Sequence, residues 1–297
     1  MEIPVNKTKG DKCFNIVNYS LLFLIAVISL YPLIFVLSAS VSNPQLVIQG
    51  KVWLLPRELT YTAYKAVLTD STILTGYKNS IIYTVVGTLV NIVMTTAGAY
   101  PLSKKDFYGR NVITIFFTIT MFFNGGLIPS YLLIKSLHLY NNFWVMILPG
   151  AVSMWNLIIM RNFFQQSIPN ELTEAAYVDG CTNVGTLIRV VLPLSKAILA
   201  VMVIFYGVGN WNAYFNAMIY LSKAEKYPLQ LVLREILLKN EMSSINDSLG
   251  GGIAEQQLLS ESIKYAVIVF ASLPVLLLYP VLQKHFVNGI MIGAIKG

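Results

Sequence analysis

Three carboxylates, Glu171, Glu174 and Asp179, stand close together in Pro169–Pro193, read PNELTEAAYVDGCTNVGTLIRVVLP, between two strongly apolar segments. Such groups can accept charged hydrogen bonds from cations on another protein. His138 and His285 are isolated, and neither HExxH nor a Cys/His cluster occurs, so no metal site is expected. Cys13 and Cys181 are far apart and form no CxxC. Both fall on the side read below as cytoplasmic, so no disulfide is expected. GxxxxGK followed by Ser or Thr is absent, and Gly250-Gly251-Gly252 runs into Ile253-Ala254. The chain is therefore not expected to hydrolyse ATP by itself. What Pro169–Pro193 suits is contact with a protein outside the membrane.

The stretch has its own punctuation. Pro169 suits a first helical position, where its missing N–H is harmless. Glu171 and Glu174 then sit in the first turns, where carboxylates favour the helix dipole. Gly180 can take the positive φ that ends a helix. Thr182 or Asn183 can cap a second short helix, expected to run to Leu192 and stop before Pro193. Ala175 and Ala176 lie beside Leu172 and Asp179 at helical spacing, which predicts a small face open to close approach.

Composition sets the surroundings. Of 297 residues, 56% are hydrophobic and 12% charged, against roughly 25% charged in soluble domains. Mean hydropathy is +0.64. A membrane span needs about 20 mostly apolar residues. Six such segments are read, at 17–40, 77–102, 112–134, 143–160, 197–221 and 263–282. The fold class expected is all-α, a polytopic membrane protein forming one transmembrane domain over 1–297. The net charge of +7 does not imply nucleic acid. Its Lys and Arg lie at span ends, as anchoring against membrane lipid requires.

The loop Lys104-Lys105-Asp106-Phe107-Tyr108-Gly109-Arg110 is short and basic, which places it in the cytoplasm. With Lys7, Lys9 and Lys12 before the first span, both termini are then inside, and so is Pro169–Pro193. The first apolar run is too long for a cleaved signal peptide and more spans follow it. Residues 42–76 form an external loop, with Thr60 as candidate cap of a helix carrying Tyr61, Tyr64, Val67 and Leu68. Asn124-Gly125-Gly126 falls inside span three, where a buried Asn needs a partner. The longest external loop, 222–262, has a helix expected over Leu229–Leu238 and a glycine tip at Gly250–Gly252. No Asp or Glu falls within a span. A proton-coupled carrier usually needs one, so energy is expected from outside the membrane.

The order Glu174-Ala175-Ala176, three residues, Gly180, nine residues, Val190, one residue, Leu192-Pro193 resembles the EAA loop of ATP-binding-cassette importer permeases. Val190 stands where that pattern has Ile. Asn79-Ser80, Ala99-Tyr100-Pro101-Leu102-Ser103, Trp211-Asn212 and the C-terminal QKHFVNGIMIGAIKG are similar to carbohydrate-importer permeases of the MalG class, the tail to the LplC/YtcP type. The resemblance covers nearly the whole chain. It implies a type I importer permease fold, a non-catalytic subunit working with a second, LplB-like permease. It also implies two cytoplasmic ATPases that bind ATP and Mg, and an extracytoplasmic solute-binding lipoprotein. This chain itself is expected to hold no cofactor. The resemblance makes Glu171, Glu174, Ala175, Ala176, Asp179, Gly180, Leu192 and Pro193 the ATPase-coupling residues. For a sugar path, aromatic faces that stack on C–H surfaces and amides that bond hydroxyls are the residues to seek. Asn124, Trp155, Asn156, Asn210, Trp211, Asn212, Tyr214 and Asn216 are the candidates. The alternatives are a permease for a non-sugar solute and a secondary transporter or channel.

Overall fold

The computed structural model describes residues 9–247 and 262–277, and no strand occurs among them. Two compact units are present, Met1–Asp70 with Ile236–Phe270, and Ser71–Glu235 with Ala271–Gly297.

In the first unit, α1 (Lys9–Ser40) starts earlier than expected and runs through Pro32 without interruption. Its apolar side chains, Phe14 to Leu37, are bare along most of its length, the surface a lipid-facing helix presents. Hydroxyls fix its end. Ser38 Oγ donates to Leu54 O (2.6 Å), Ser42 Oγ to Ser38 O (2.6 Å), and the Ser40 and Tyr64 hydroxyls share a bond of 2.8 Å. Asn43 caps α2 (Pro44–Ile48) by accepting from Gln45 N–H. The helix α3 (Thr62–Thr69) has Tyr61 at its cap and no side-chain capping bond. The expected cap, Thr60, instead donates its backbone N–H to Val41 O (2.9 Å), which ties it to the end of α1. Ala39, Val47 and Val52 form the small core here, with Phe35 and Tyr265 edge-to-face against it.

The second unit is built on α4 (Ser71–Ser103, 33 residues). Next come α5 (Arg110–Phe122), α6 (Leu127–Ser136), α7 (Met154–Ser167), α8 (Asn170–Val178), α9 (Asn183–Thr186), α10 (Leu192–Leu194), α11 (Lys196–Trp211) and α12 (Phe215–Tyr220). Then α13 (Leu229–Asp247) begins, and α14 (Ser262–Leu277) ends the described chain. Two helices, α1 and α4, are long and apolar enough to cross a membrane unbroken, and the number rises to as many as five if each of three bent pairs is one span. The helix α14 is apolar but shorter, and residues 278–282 of the expected sixth span lie outside the described residues.

Three expected spans are broken. Span three bends by 114° between α5 and α6. Asn124 Oδ1 accepts from Gly126 N–H (2.9 Å), and Gly126 takes φ +86°. Asn124 is therefore an exposed turn residue and not a buried interhelical one. Span four begins as two 3-10 turns, Phe143–Met146 and Leu148–Gly150, and bends by 52° into α7. Pro149 sits in the second of these turns, and Ser153 caps α7. The helix passes the expected end at Met160 and continues to Ser167. Arg161 is inside it, with Nε donating to Leu102 O (2.9 Å). Span five ends its first helix at Trp211, and α12 resumes at Phe215.

The inward face of α4 is small and polar. Gly76, Ser80, Tyr83, Gly87, Asn91, Thr95 and Ala99 are buried at three- and four-residue intervals, while Ile81, Val85, Leu89 and Val93 are exposed. This inverts the soluble amphipathic pattern, as helix packing within lipid favours. A Cβ on Gly87 would lie 2.9 Å from Asn210 Nδ2, so α11 packs directly onto that backbone. Asn91 Nδ2 donates to Gly150 O (2.6 Å) and Ala151 O (3.0 Å), and Asn91 Oδ1 accepts from Asn210 Nδ2 (2.9 Å). Tyr206 OH accepts from Ser153 N–H (3.1 Å) and pairs with the Thr95 hydroxyl (2.6 Å). The broken backbone at 150–153 is thus satisfied by side chains of α4 and α11.

Asn91→Leu leaves the Gly150 and Ala151 carbonyls without these donors and Asn210 without its acceptor. The expected loss is about 1–3 kcal/mol, read as earlier thermal unfolding of the detergent-solubilised chain. Val85→Ala, on the exposed face of the same helix, is the control and should shift stability by about 0.5 kcal/mol or less. Equal unfolding of both variants would contradict the role given to Asn91.

Candidate functional site

The stretch 169–193 folds as two short helical pieces about Gly180. Pro169, with φ −58° and ψ 137°, is the cap of α8 and not its first helical residue. Its extended ψ keeps it outside the helix, so Asn170 takes the first position. At the other end Gly180 has φ +79°. Cys181 N–H donates to Ala176 O (2.9 Å) and Gly180 N–H to Tyr177 O (3.0 Å). These paired bonds form a Schellman motif, which satisfies the last carbonyls and turns the chain sharply.

Thr182 is the cap of α9, its Oγ1 accepting from Gly185 N–H (3.2 Å). Asn183 serves differently, accepting from the Tyr177 hydroxyl (2.5 Å) and so bracing the corner. The second piece does not stop before Pro193. A wide turn over Leu187–Val191, closed by Leu192 N–H to Leu187 O, leads into α10, which contains Pro193 and ends at Leu194. Pro193 lies in the first turn of α10, where a missing N–H is harmless. The path then bends by 85° into α11.

The faces of α8 are sharply divided. Thr173 and Ala176 are buried, Ala176 only 7% exposed. The small face expected from Ala175 and Ala176 together is therefore split, because adjacent helical residues point about 100° apart. Ala175 faces outward with Glu171, Leu172, Glu174, Asp179 and Val178, the last 88% exposed. Val184 and Ile188 continue this exposed surface beyond the corner. No salt bridge among the described residues involves Glu171, Glu174 or Asp179. The result is a rigid projection with acidic and apolar groups side by side. The loop 104–109 lies next to it: Asp106, Phe107 and Tyr108 share a cleft with Asn183, Val184 and Leu187. Lys104 sits over the Tyr100 ring at 5.0 Å. Burial pushes its pKa below the ordinary lysine value, and Asp106 partly opposes this.

The candidate sugar-path residues are not one cluster of free groups. Asn210 bonds Asn91 and Thr88, and Trp211 is buried, its Nε1 donating to Ala271 O (3.0 Å) with the ring edge-on to Tyr77. Asn156 is buried in α7, and Asn124 shapes its own turn. Trp155 is 63% exposed. Asn212, Tyr214 and Asn216 come together at the break between α11 and α12, the first two exposed, with Asn212 Oδ1 accepting from Gln230 Nε2 (3.4 Å). Sequence reasoning missed Asn91, Thr95 and Tyr206. The signal available was the polar series Ser80, Thr84, Thr88, Asn91, Thr95 along one apolar helix.

The start of the long loop is docked. Asn79 Nδ2 donates to Glu225 O (2.8 Å) and Tyr227 O (3.0 Å), Tyr83 OH to Lys226 O (3.0 Å), and Leu229 N–H to Ser80 Oγ (2.8 Å). The helix α13 extends to Asp247, past the expected end at Leu238. Gly250–Gly252 and the C-terminal tail 283–297 lie outside the described residues.

Residues 72–292 match the family described as "binding-protein-dependent transport system inner membrane component". The chain is 40% identical over 294 residues to Protein LplC of Bacillus subtilis, covering 99% of this chain and 98% of that one. It is 38% identical over 288 residues to the polygalacturonan/rhamnogalacturonan transport system permease protein YtcP of the same organism, covering 97% and 99%. A bacterial ABC transporter involved in the import of the acidic polysaccharide alginate has a chain of the same fold. The TM-score is 0.85 and the identity 36%, covering 96% of this chain and all of that one. The chain belongs to the inner membrane component family of binding-protein-dependent transport systems: it is a membrane-embedded ABC permease subunit, not an enzyme.

Proposed function

We propose that this chain is one half of the translocation path of a carbohydrate importer, paired with an LplB-like permease and driven by two cytoplasmic ATPases. The observation that carries the coupling part is the Gly180 corner. It holds the exposed carboxylates and Val178 on a short, braced helix outside the apolar segments. A subunit with no nucleotide site of its own needs such a lever. Glu174 pairs with a cation of the ATPase, Ala175 allows close approach, and Ala176 with Thr173 anchors the lever to the permease. Asp179 and Glu171 extend the acidic surface, while Leu192 and Pro193 transmit its motion to α11.

The carbohydrate reading is supported by YtcP, named for polygalacturonan and rhamnogalacturonan, and by the alginate importer. The substrate class is an oligosaccharide or polysaccharide fragment, delivered by an extracytoplasmic binding lipoprotein. Within the path, Asn212, Tyr214 and Asn216 are the residues assigned to sugar contact, with Trp155 and Asn124 next. Asn156, Asn210 and Trp211 serve it by holding the helices. The topology is six spans in the lipid bilayer with both termini in the cytoplasm, and 222–262 faces the binding protein.

Single cysteines at Lys104 and Ser244 test the topology: an impermeant thiol reagent should reach only the second from outside the cell. Labelling of both from outside rejects it. Glu174→Lys and Gly180→Pro test the coupling. Proline cannot adopt φ +79° and removes the N–H that bonds Tyr177 O, so the corner must rearrange. A buried charge pair broken at Glu174 costs about 3–5 kcal/mol, an exposed one about 0–1 kcal/mol. Both variants should insert and pair with the second permease, yet lose bound ATPase or substrate-stimulated hydrolysis. Normal values in both would make the stretch a plain connector.

A further inference from the structure

Beside the coupling helix, at the end of α4, is a cavity of about 340 Å³, within the range of roughly 300–1,000 Å³ typical of small-ligand sites. Four cations line it: Lys104, Lys105, Arg110 and Arg161. None of them lies within ion-pair distance of a described carboxylate. Two are held in place by the backbone around them, Arg161 Nε on Leu102 O (2.9 Å) and Arg110 Nη1 on Lys104 O (3.3 Å). Asp106 acts on Lys104 from the neighbouring cleft, but no carboxylate lines the cavity itself, and four cations converging there repel one another unless a negative group enters. Phe164, Ile168 and Val191 form an apolar wall of the same cavity. A ligand with an anionic head and an apolar portion thus finds cations and an apolar wall in the same cavity. Asn170 and Thr173, in the first turn of α8, also line the cavity, so its occupant touches the coupling helix itself.

We propose that this cavity binds the phosphate headgroup of an anionic glycerophospholipid. The bound lipid ties the end of α4, the 104–109 loop and the start of α8 together. Basic pockets at the membrane surface recognise such headgroups mainly by charge. Placing the lipid in the cytoplasmic leaflet rests on the topology proposed above, whereas the binding itself does not.

The test uses the full-length chain, delipidated in neutral detergent and titrated with phosphatidylglycerol or phosphatidylcholine under native mass spectrometry. Wild type should retain phosphatidylglycerol at least about tenfold better than phosphatidylcholine. K105Q/R110Q, which leaves Arg161 in place, should lower that retention roughly thirtyfold, the effect of two cations near an anionic lipid surface. K105R/R110K keeps the charge and should keep the lipid, which separates a lost site from a misfolded chain. Inorganic phosphate at millimolar concentration should not displace the lipid. Equal retention of the two lipids, full retention by K105Q/R110Q, or displacement by phosphate alone would each overturn the proposal. So would unchanged lipid retention by K105Q/R110Q with loss of the co-expressed ATPase, which would assign the cations to a carboxylate of that protein. Thiol labelling at Lys104 from outside the cell would reject the topology and leave lipid retention unaffected, so the two failures are told apart.

Discussion

A backbone buried among apolar side chains has to bond its own polar groups, and this protein interrupts three of its long apolar segments. The structure depends on how those interruptions are satisfied. At 150–153 the free carbonyls and the Ser153 N–H are met by Asn91 and Tyr206. Asn91 is wholly committed, donating twice and accepting once, which also holds Asn210 and so α11. The small residues of α4 follow from the same need, since Gly87 must let the Asn210 carboxamide approach the backbone. The polar interior of the second unit is thus a support for broken helices, surrounded by an apolar outer surface.

That support bears on transport. A path through a membrane can be lined by irregular backbone only where protein or water satisfies it. The breaks between α5 and α6 and between α11 and α12 leave Asn124, Asn212 and Tyr214 exposed at non-helical positions. On the other side of α11, the turn at 187–191 and the bend after Leu194 join it directly to the Gly180 corner. One continuous stretch of chain therefore connects the exposed carboxylates to the helix that carries the interior network. In the proposed coupling, motion imposed at α8 has a short mechanical route to α11.

Much of this was legible in sequence where local chemistry decides. The positive φ of Gly180, a cap at Thr182 or Asn183, the absence of a nucleotide loop and the family itself were readable from residue types at fixed spacing. The breaks were not, because an apolar window registers composition and not continuity. Asn124-Gly125-Gly126 was visible, but whether it packs between helices or turns between them depends on its own Asx bond to Gly126. Trp211 and Asn210 looked like ligand residues because their partners, Ala271 and Asn91, are distant in sequence. Ala176 looked like part of a docking face because spacing alone does not say which side of a helix rests on its own chain.

The central claim is that the outward face of α8 is where the ATPase bears on this subunit. Single cysteines at Val178 and at Trp53, both exposed, can be joined to a photoreactive thiol reagent in the assembled transporter. The account predicts that the probe at Val178 forms an adduct with the ATPase, to an extent that changes when ATP is bound, and that the probe at Trp53 forms none. Absence of the Val178 adduct from an intact, ATP-hydrolysing complex would contradict it.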